Sequence, residues 1–400
     1  MKVLVLNAGS SSMKIQLIET STEEPLAKAS CERIGADSLI KYRTAGKNLN
    51  FEKYLPTHIE ALQEIILLLT QGEGAIIKDI SEIEAVGHRV SNGGNFYAQA
   101  TLLTRQVMDD IESLFSLAPL HNPANLMGIK ACQRLIGMEI PQVAVFDTSF
   151  HRTIPEQAYM YAIPYRYYEK YHIRKYGFHG ISHQYVSERL AELMGGSISE
   201  LKVITCHLGS GSSIAAIRGG RSVDTTMGFT PLSGLLMGTR CGSIDPSIVT
   251  FLQKKENLTP EQIDGILYKE SGLLGISDVS GDCRDLEKAA GEDNHRAELG
   301  LRMLYYQVKR NIGGYAAAMG GLDAVVFTGG IGENSVSGRA AICEGLSFLG
   351  IALDEQANGR CRFGVEGRID KSGGVEVYVI PTNEELMIAR DTCRLVMRHD

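Results

Sequence analysis

The sequence predicts an α/β protein of two duplicated domains, each a mixed sheet flanked by helices. Three observations carry that prediction. First, an apolar strand, a Gly/Ser turn and a returning strand stand at the start, as Val3-Leu-Val-Leu6, Asn7-Ala-Gly-Ser-Ser-Ser12 and Lys14-Ile-Gln-Leu-Ile18. The same grammar recurs in Val203-Ile-Thr-Cys206, His207-Leu-Gly-Ser-Gly-Ser-Ser213 and Ile214-Ala-Ala-Ile217, so that Gly9, Ser10 and Ser12 align with Gly209, Ser210 and Ser212. Second, each hairpin is followed by further apolar strands alternating with amphipathic helices. Third, 400 residues at 44% hydrophobic and 22% charged are enough for two full cores.

The elements follow in chain order. Apolar spacing predicts helices over 59–69, over 106–117 behind a Thr104 cap, and over 124–136 with Pro123 in the first turn. Further helices are expected over 184–194 capped by Ser182, over 297–319 and over 385–397. Buried strands are expected at 85–90, 143–147, 323–328 and 375–380. Asp224 and Asp245 read as turn or helix caps. No Pro/Ser/Gly-rich linker separates the halves, so the boundary falls in a packed hinge near 148–155. The domains are then 1–150 with 384–400 packing back, and 151–383. A ligand that must be enclosed is expected in the cleft between two such domains.

Composition narrows the function. The net charge is −7 at a pI of about 5.9, and the basic residues are scattered, which argues against a nucleic-acid or anionic-membrane binder. No apolar run approaches the ~18 residues of a membrane span. The run ending at Asn7 is too short for a secretory signal, so a cytoplasmic location is expected. The eight cysteines contain no C-x-x-C and read as buried thiols. Glycine is abundant, at 43 residues against 11 prolines, which places it in turns.

Those turns have a phosphate-binding character. The patterns G-x-x-x-x-G-K-[ST] and G-x-G-x-x-G after a strand are both absent. Instead, two hairpin tips offer N–H and hydroxyl groups to phosphate oxygens. Val325-Val-Phe-Thr-Gly-Gly-Ile-Gly-Glu-Asn334 adds a strand, a glycine turn and a helix start, where a backbone can approach a ligand and negative charge is favoured. This ordered trio resembles the nucleotide clasp of actin, hexokinase and the heat-shock chaperone ATPases, which implies actin-like (ribonuclease H-like) domains.

Phosphoryl transfer needs cations around the moving group. Gly87-His-Arg-Val90 and Met237-Gly-Thr-Arg240 each end an apolar stretch in the planar fork that suits carboxylate or phosphate. Seven of the ten histidines lie between His88 and His207. His88, His121, His151 and His183 read as structural hydrogen-bonders. The runs Asn7-Ala-Gly-Ser-Ser-Ser, Ala118-Pro-Leu-His-Asn-Pro-Ala-Asn125, Phe146-Asp-Thr, Tyr176-Gly-Phe-His-Gly180, Met227-Gly-Phe-Thr-Pro-Leu232 and Pro381-Thr-Asn-Glu-Glu385 resemble the acetate kinase family from Val3 to about Arg390.

That resemblance implies an ATP:acetate phosphotransferase that uses Mg2+, with Mn2+ able to substitute, and that works as a homodimer. It assigns Asn7 and Glu384 to the metal side. Arg89 and Arg240 would hold the carboxylate and the moving phosphoryl group, His179 would hydrogen-bond that group, and Asp147 would orient the site. Ser10, Ser12 and Lys14 match the first phosphate hairpin, and His207, Leu208, Gly209, Ser210 and Gly211 the second. Asp282, Cys283 and Arg284 match the adenosine side; Gly330, Ile331, Gly332 and Asn334 match the turn beneath the nucleotide. Ser91, Leu120, Phe178 and Pro231 match the acyl pocket.

The chain departs from the family pattern at several places. His88-Arg-Val-Ser-Asn-Gly-Gly94 has Ser91 where a valine is usual, and Ser210 replaces an asparagine in the second hairpin. Ser233, Cys241, Ser243 and Cys283 also differ. A hydroxyl in an apolar pocket weakens discrimination that is worth only ~1–3 kcal/mol per methylene. A propionate or other short-acyl kinase is therefore a rival reading, and a non-metabolic actin-like ATPase is a rival from another class.

Overall fold

The computed structural model describes residues 1–398, so residues 399 and 400 of the segment 384–400 lie outside the described residues. The chain divides into two compact units, Met1–Phe150 with Asn383–Asp400, and His151–Thr382.

Unit 1 holds an eight-stranded mixed sheet. Its strands are β1 (Lys2–Ala8), β2 (Ser12–Glu19), β3 (Glu24–Glu32), β4 (Leu39–Thr44), β5 (Asn48–Glu52), β6 (Ala85–Val90), β7 (Thr101–Leu102) and β8 (Gln142–Phe146), in the order β5-β4-β3-β2-β1-β6-β8-β7. β1 to β5 form an antiparallel meander, while β6 runs parallel to β1 and β8 parallel to β6. The helices His58–Thr70 and Asn122–Ile136 bury Leu62, Ile65 and Ile129. Leu62, Ile65 and Ala131 join one core with Leu4, Leu6, Met13 and Ile15 from the sheet. Close approach is written into Gly128, where a Cβ would stand 2.7 Å from that of Ala8. The C-terminal helix Glu384–Val396 packs on β1, β6 and β8.

Unit 2 holds a six-stranded sheet in the order β11-β10-β9-β12-β14-β13. These strands are β9 (Lys202–His207), β10 (Ser213–Arg218), β11 (Arg221–Thr225), β12 (Ala324–Thr328), β13 (Gly367–Arg368) and β14 (Glu376–Val379). β9, β10 and β11 are antiparallel neighbours, and β12 runs parallel to both β9 and β14. The order β11-β10-β9-β12-β14 thus repeats β3-β2-β1-β6-β8 in position and direction, which is the duplicated actin-like α/β arrangement. The 25-residue helix His295–Met319 carries the apolar face that closes this core.

Most elements stand where the sequence places them, and the differences have physical causes. Ser182 does not cap a helix. The helix runs Gly180–Met194, and its N-cap is His179, held in the left-handed region at φ 55°. The helix behind Thr104 ends at Ser113 and continues as a 3-10 turn, Leu114–Ser116. Asp245 does cap a helix, Pro246–Glu256, accepting from the Ser247 N–H at 2.8 Å. All eight cysteines are free; Cys241 and Cys393 are half-buried and the other six buried.

Candidate functional site

In unit 1 the candidate residues lie at the ends of β1, β6 and β8. The first hairpin is closed by the Gly9 N–H donating to the Ser12 carbonyl at 2.8 Å. Asn125 donates to the Ala8 carbonyl at 2.8 Å, and the His58 ring meets the Gly9 carbonyl at 2.7 Å. Asn7 pairs in register with Lys14 across the hairpin. Ser10 and Lys14 are exposed, Ser12 half-buried.

Arg89 comes from β6, and its Nη2 donates to Oδ2 of the buried Asp147 at 3.0 Å. Burial opposes the charge of Arg89, but Asp147, Glu384 and Glu385 hold the guanidinium more basic than usual. Its Nε is buried and makes no hydrogen bond among the described residues. Beside it, His88 bonds Gln142 at 2.9 Å, and burial pushes its pKa down to about 4.

The segment after Arg89 is pinned from two directions. The Ser91 N–H donates to Asn125 Oδ1 at 2.9 Å and the Asn92 N–H to Asn122 Oδ1 at 3.1 Å, while Asn122 returns a bond to the Asn92 carbonyl at 3.0 Å. The Gly93 N–H donates to Thr148 Oγ1 at 3.1 Å. All three side chains involved, Asn122, Asn125 and Thr148, are buried. Leu120 is instead 62% exposed, so within unit 1 it lines no enclosed pocket.

Glu384 opens the C-terminal helix. Burial, then repulsion from Asp147, raises its pKa to about 7 against the pull of Arg89. Asn7 and Glu384 both belong to unit 1, and an amide oxygen and a carboxylate are hard oxygen donors of the kind a divalent ion takes. Among the described residues no three His, Cys, Asp or Glu side chains converge to hold a metal alone. Two such donors would suit an ion that keeps water and phosphate oxygens as most of its ligands.

In unit 2 three segments build one cavity of about 750 Å3, within the range of small-molecule sites. Gly209 and Ser210 come from the β9–β10 tip, Asp282, Cys283 and Arg284 from a helix start, and Gly330, Ile331 and Asn334 from the turn after β12. Leu208 and Gly332 frame the cavity without lining it. The Leu208 carbonyl accepts from Ile331 at 2.8 Å and Gly332 at 3.2 Å, so hairpin and glycine turn are locked together. Gly329 needs to be glycine there, because at φ 75° its Cβ would meet the Leu208 carbonyl oxygen at 2.7 Å. Asp282 caps the helix Cys283–Gly291 and pairs with the exposed Arg284 at 2.6 Å.

Sequence reasoning missed other lining residues. Gly238 and Gly281 face each other so closely that a Cβ on either would stand 2.9 Å from the other's carbonyl oxygen. Phe363, an exposed ring at the rim, is held by its N–H donating to Asn334 Oδ1 at 2.8 Å. Nothing in the local sequence marked Phe363; the close Gly pair could have been sought from the isolated glycines after Met237 and Ser280.

The charged chemistry of unit 2 gathers around Gly211, where a Cβ would stand 3.3 Å from His179 Nε2 and 3.7 Å from Arg240 Nη1. Arg240 donates to the Pro231 carbonyl at 3.1 Å and makes no ion pair with a carboxylate among the described residues. Burial lowers its pKa. A half-buried guanidinium without a counter-ion is a prepared anion site. His179 stacks on His207 at 4.3 Å between ring centres. Its Nδ1 meets Ser213 Oγ at 2.9 Å, and His207 Nδ1 meets Ser182 Oγ at 2.8 Å. Phe178 packs with Met227 and Met237 in a small apolar cluster.

Comparison with known proteins gives consistent results. A model of the acetokinase family matches residues 2–390. An acetate kinase of Methanosarcina acetivorans is 55% identical over 398 residues, covering 98% of this chain and 96% of that one. The crystal structure of the Porphyromonas gingivalis acetate kinase is similar with a TM-score of 0.94 at 43% identity, covering 99% of both chains. A propionate kinase of Francisella tularensis subsp. tularensis is similar with a TM-score of 0.91 at 38% identity, covering 98% of this chain and 99% of the other.

Proposed function

The chain belongs to the acetokinase family, and from that premise we infer that it transfers the γ-phosphoryl group of ATP reversibly to acetate, giving acetyl phosphate and ADP. The observation that carries the mechanism is the convergence of His179 and the carboxylate-free Arg240 on Gly211, at the hairpin whose neighbours Gly209 and Ser210 line the 750 Å3 cavity. A nucleotide in that cavity would present its terminal phosphate to a guanidinium and an imidazole.

A carboxylate oxygen of acetate attacks the γ-phosphorus in line, and the bond to the β,γ-bridging oxygen breaks as ADP leaves with that electron pair. Acetate is ionised at neutral pH, so the step needs no general base. Arg240 and His179 donate to the equatorial oxygens as charge redistributes over them. Arg89 would hold the acetate carboxylate with the donors of its guanidinium that reach the surface, and Asp147 keeps that guanidinium oriented through the 3.0 Å bond to Nη2. Phe178 and Pro231 supply apolar surface for the methyl group. Positioning thus supplies most of the rate. Magnesium, with manganese as a substitute, would be held by Asn7 and Glu384 and supplies neutralising charge for the phosphates when bound.

No helix among the described residues is long and apolar enough to cross a membrane, and we place the reaction in the cytoplasm and in a homodimer on the family resemblance. The functional test traps the acyl phosphate as a hydroxamate in the presence of hydroxylamine, Mg-ATP and a panel of acetate, propionate, butyrate and glycolate. Acetate is expected to give the highest kcat/KM. A panel led by propionate would replace acetate with a longer acid, and hydroxamate from none of them, with ATP hydrolysed regardless, would support an actin-like ATPase instead.

A further inference from the structure

Four side chains on three elements of unit 2 form one hydrogen-bonded line. Thr205 Oγ1 meets His183 Nδ1 at 2.7 Å, His183 Nε2 meets Ser213 Oγ at 2.8 Å, and Ser213 Oγ meets His179 Nδ1 at 2.9 Å. Thr205, His183 and Ser213 are wholly buried. Burial, with the neighbouring imidazoles of His151, His207 and His179, keeps His183 neutral, since its pKa lies well below the usual value.

A neutral imidazole has one N–H and one bare nitrogen, so this line can point in only two directions. In one, His183 donates from Nδ1 to Thr205, accepts from Ser213, and Ser213 accepts from His179 Nδ1–H. The Thr205 hydroxyl hydrogen then has no acceptor, because His183 is its one side-chain or backbone hydrogen-bond partner among the described residues. A buried donor left without an acceptor has lost its water and gained nothing in return, which native interiors avoid. In the other direction every group is satisfied: Thr205 donates to His183 Nδ1, His183 Nε2–H donates to Ser213, and Ser213 donates to His179 Nδ1. The proton of His179 must then sit on Nε2, the nitrogen beside Gly211 and Arg240.

We propose that Thr205, His183 and Ser213 are positioning residues that fix His179 as the Nε2–H tautomer, so that a neutral imidazole meets the phosphoryl oxygens as a donor. With the opposite tautomer a bare nitrogen would face those oxygens and repel them. The proposal rests on the role given to His179 in phosphoryl transfer, although the hydrogen-bond direction itself does not.

Nitrogen-15 NMR of the histidine rings at pH 8, with His179 assigned by the signals lost in His179→Asn, tests the direction in the wild-type chain without any change to the line. The expected result is a bare Nδ1 and a protonated Nε2; a protonated Nδ1 overturns the proposal. Thr205→Val, which keeps the shape and removes the directing hydrogen, is expected to mix the two tautomers and lower kcat roughly tenfold with KM little changed. Thr205→Ser should restore both readouts. Unchanged His179 signals in Thr205→Val would overturn the relay. Turnover of His179→Asn at the wild-type rate would instead remove the assigned role of His179, an outcome the NMR result distinguishes from a wrong direction.

Discussion

At the scale of single residues, the two arginines are prepared differently for anions. Arg89 is held by Asp147 at 3.0 Å and has a buried Nε with no hydrogen-bond partner among the described residues, whereas Arg240 touches a carbonyl and a thioether and, among the described residues, no carboxylate. Removing Arg240 should therefore leave folding nearly intact and cost catalysis. Arg240→Ala is expected to lower kcat by about 10²–10³ in the hydroxamate assay, with Arg240→Lys only partly better because an ammonium cannot reproduce the planar fork. Glu384 gives a pH prediction. Its carboxyl has a folded pKa of about 7 against 4.5 ordinarily, so the folded chain binds the proton more tightly than the unfolded one. Its contribution to stability is fully present below pH 4.5 and lost as pH rises through 7. Metal-free Glu384→Gln should accordingly melt at a higher temperature than wild type at pH 8 and close to it at pH 4.5, and it should need more magnesium for activity. Arg89, His179 and Arg240 could be proposed from the sequence because long motifs surround them. Leu120 is 62% exposed, and its place in the acyl pocket rests on the family resemblance alone. Phe363 was invisible because a single backbone bond to Asn334 puts it at the cavity rim.

At the scale of elements, the helix Asn122–Ile136 does more than fill the core. Its first turn sends Asn122 and Asn125 to hold the backbone of Ser91 and Asn92 and, through Asn125, the tip of the first hairpin. Asn125→Ala leaves the Ser91 N–H and the Ala8 carbonyl without that partner, and should cost about 2–4 kcal/mol of stability by urea titration while raising KM for acetate. The Gly238–Gly281 contact acts on the nucleotide side. Gly238→Ala would force two backbone segments apart and should raise KM for ATP while leaving KM for acetate unchanged. The hairpins were legible because alternation with period two and a Gly/Ser tip is a local signal. The start of helix Gly180–Met194 was not, because Ser182 looks like a cap and the true cap is a left-handed histidine. Ser182 instead bonds Thr382 at 2.7 Å, a partner 200 residues away that no local pattern shows.

At the scale of the whole molecule, the duplication is plainer in strand order than in sequence. Only the hairpins echo each other in residues, while β3-β2-β1-β6-β8 and β11-β10-β9-β12-β14 match throughout. The outer strands β4 and β5, which extend the first sheet, were not foreseen because their polar, half-exposed residues lack an apolar run. Both units bury neutral histidine beside the strands that carry their sites. His88 has a folded pKa of about 4 and His183 lies well below 6.5, so the unfolded chain binds more protons once pH falls below 6.5. The contribution of these two histidines to stability is fully present above pH 6.5 and should fall towards pH 4 by up to ~1.4 kcal/mol per pH unit for each of them. Thermal melts across that range should show the fall, and a flat profile would mean that these histidines are not buried neutral. The claim on which the account turns is direct attack of an acetate oxygen on the γ-phosphorus. Acetate carrying oxygen-18 in its carboxyl group, incubated with Mg-ATP and the enzyme and followed by phosphorus-31 NMR, tests it. Direct attack gives acetyl phosphate whose phosphorus bears one oxygen-18 and ADP that bears none, whereas acetyl phosphate with unlabelled phosphorus, or ADP and free phosphate formed equally without acetate, would rule it out.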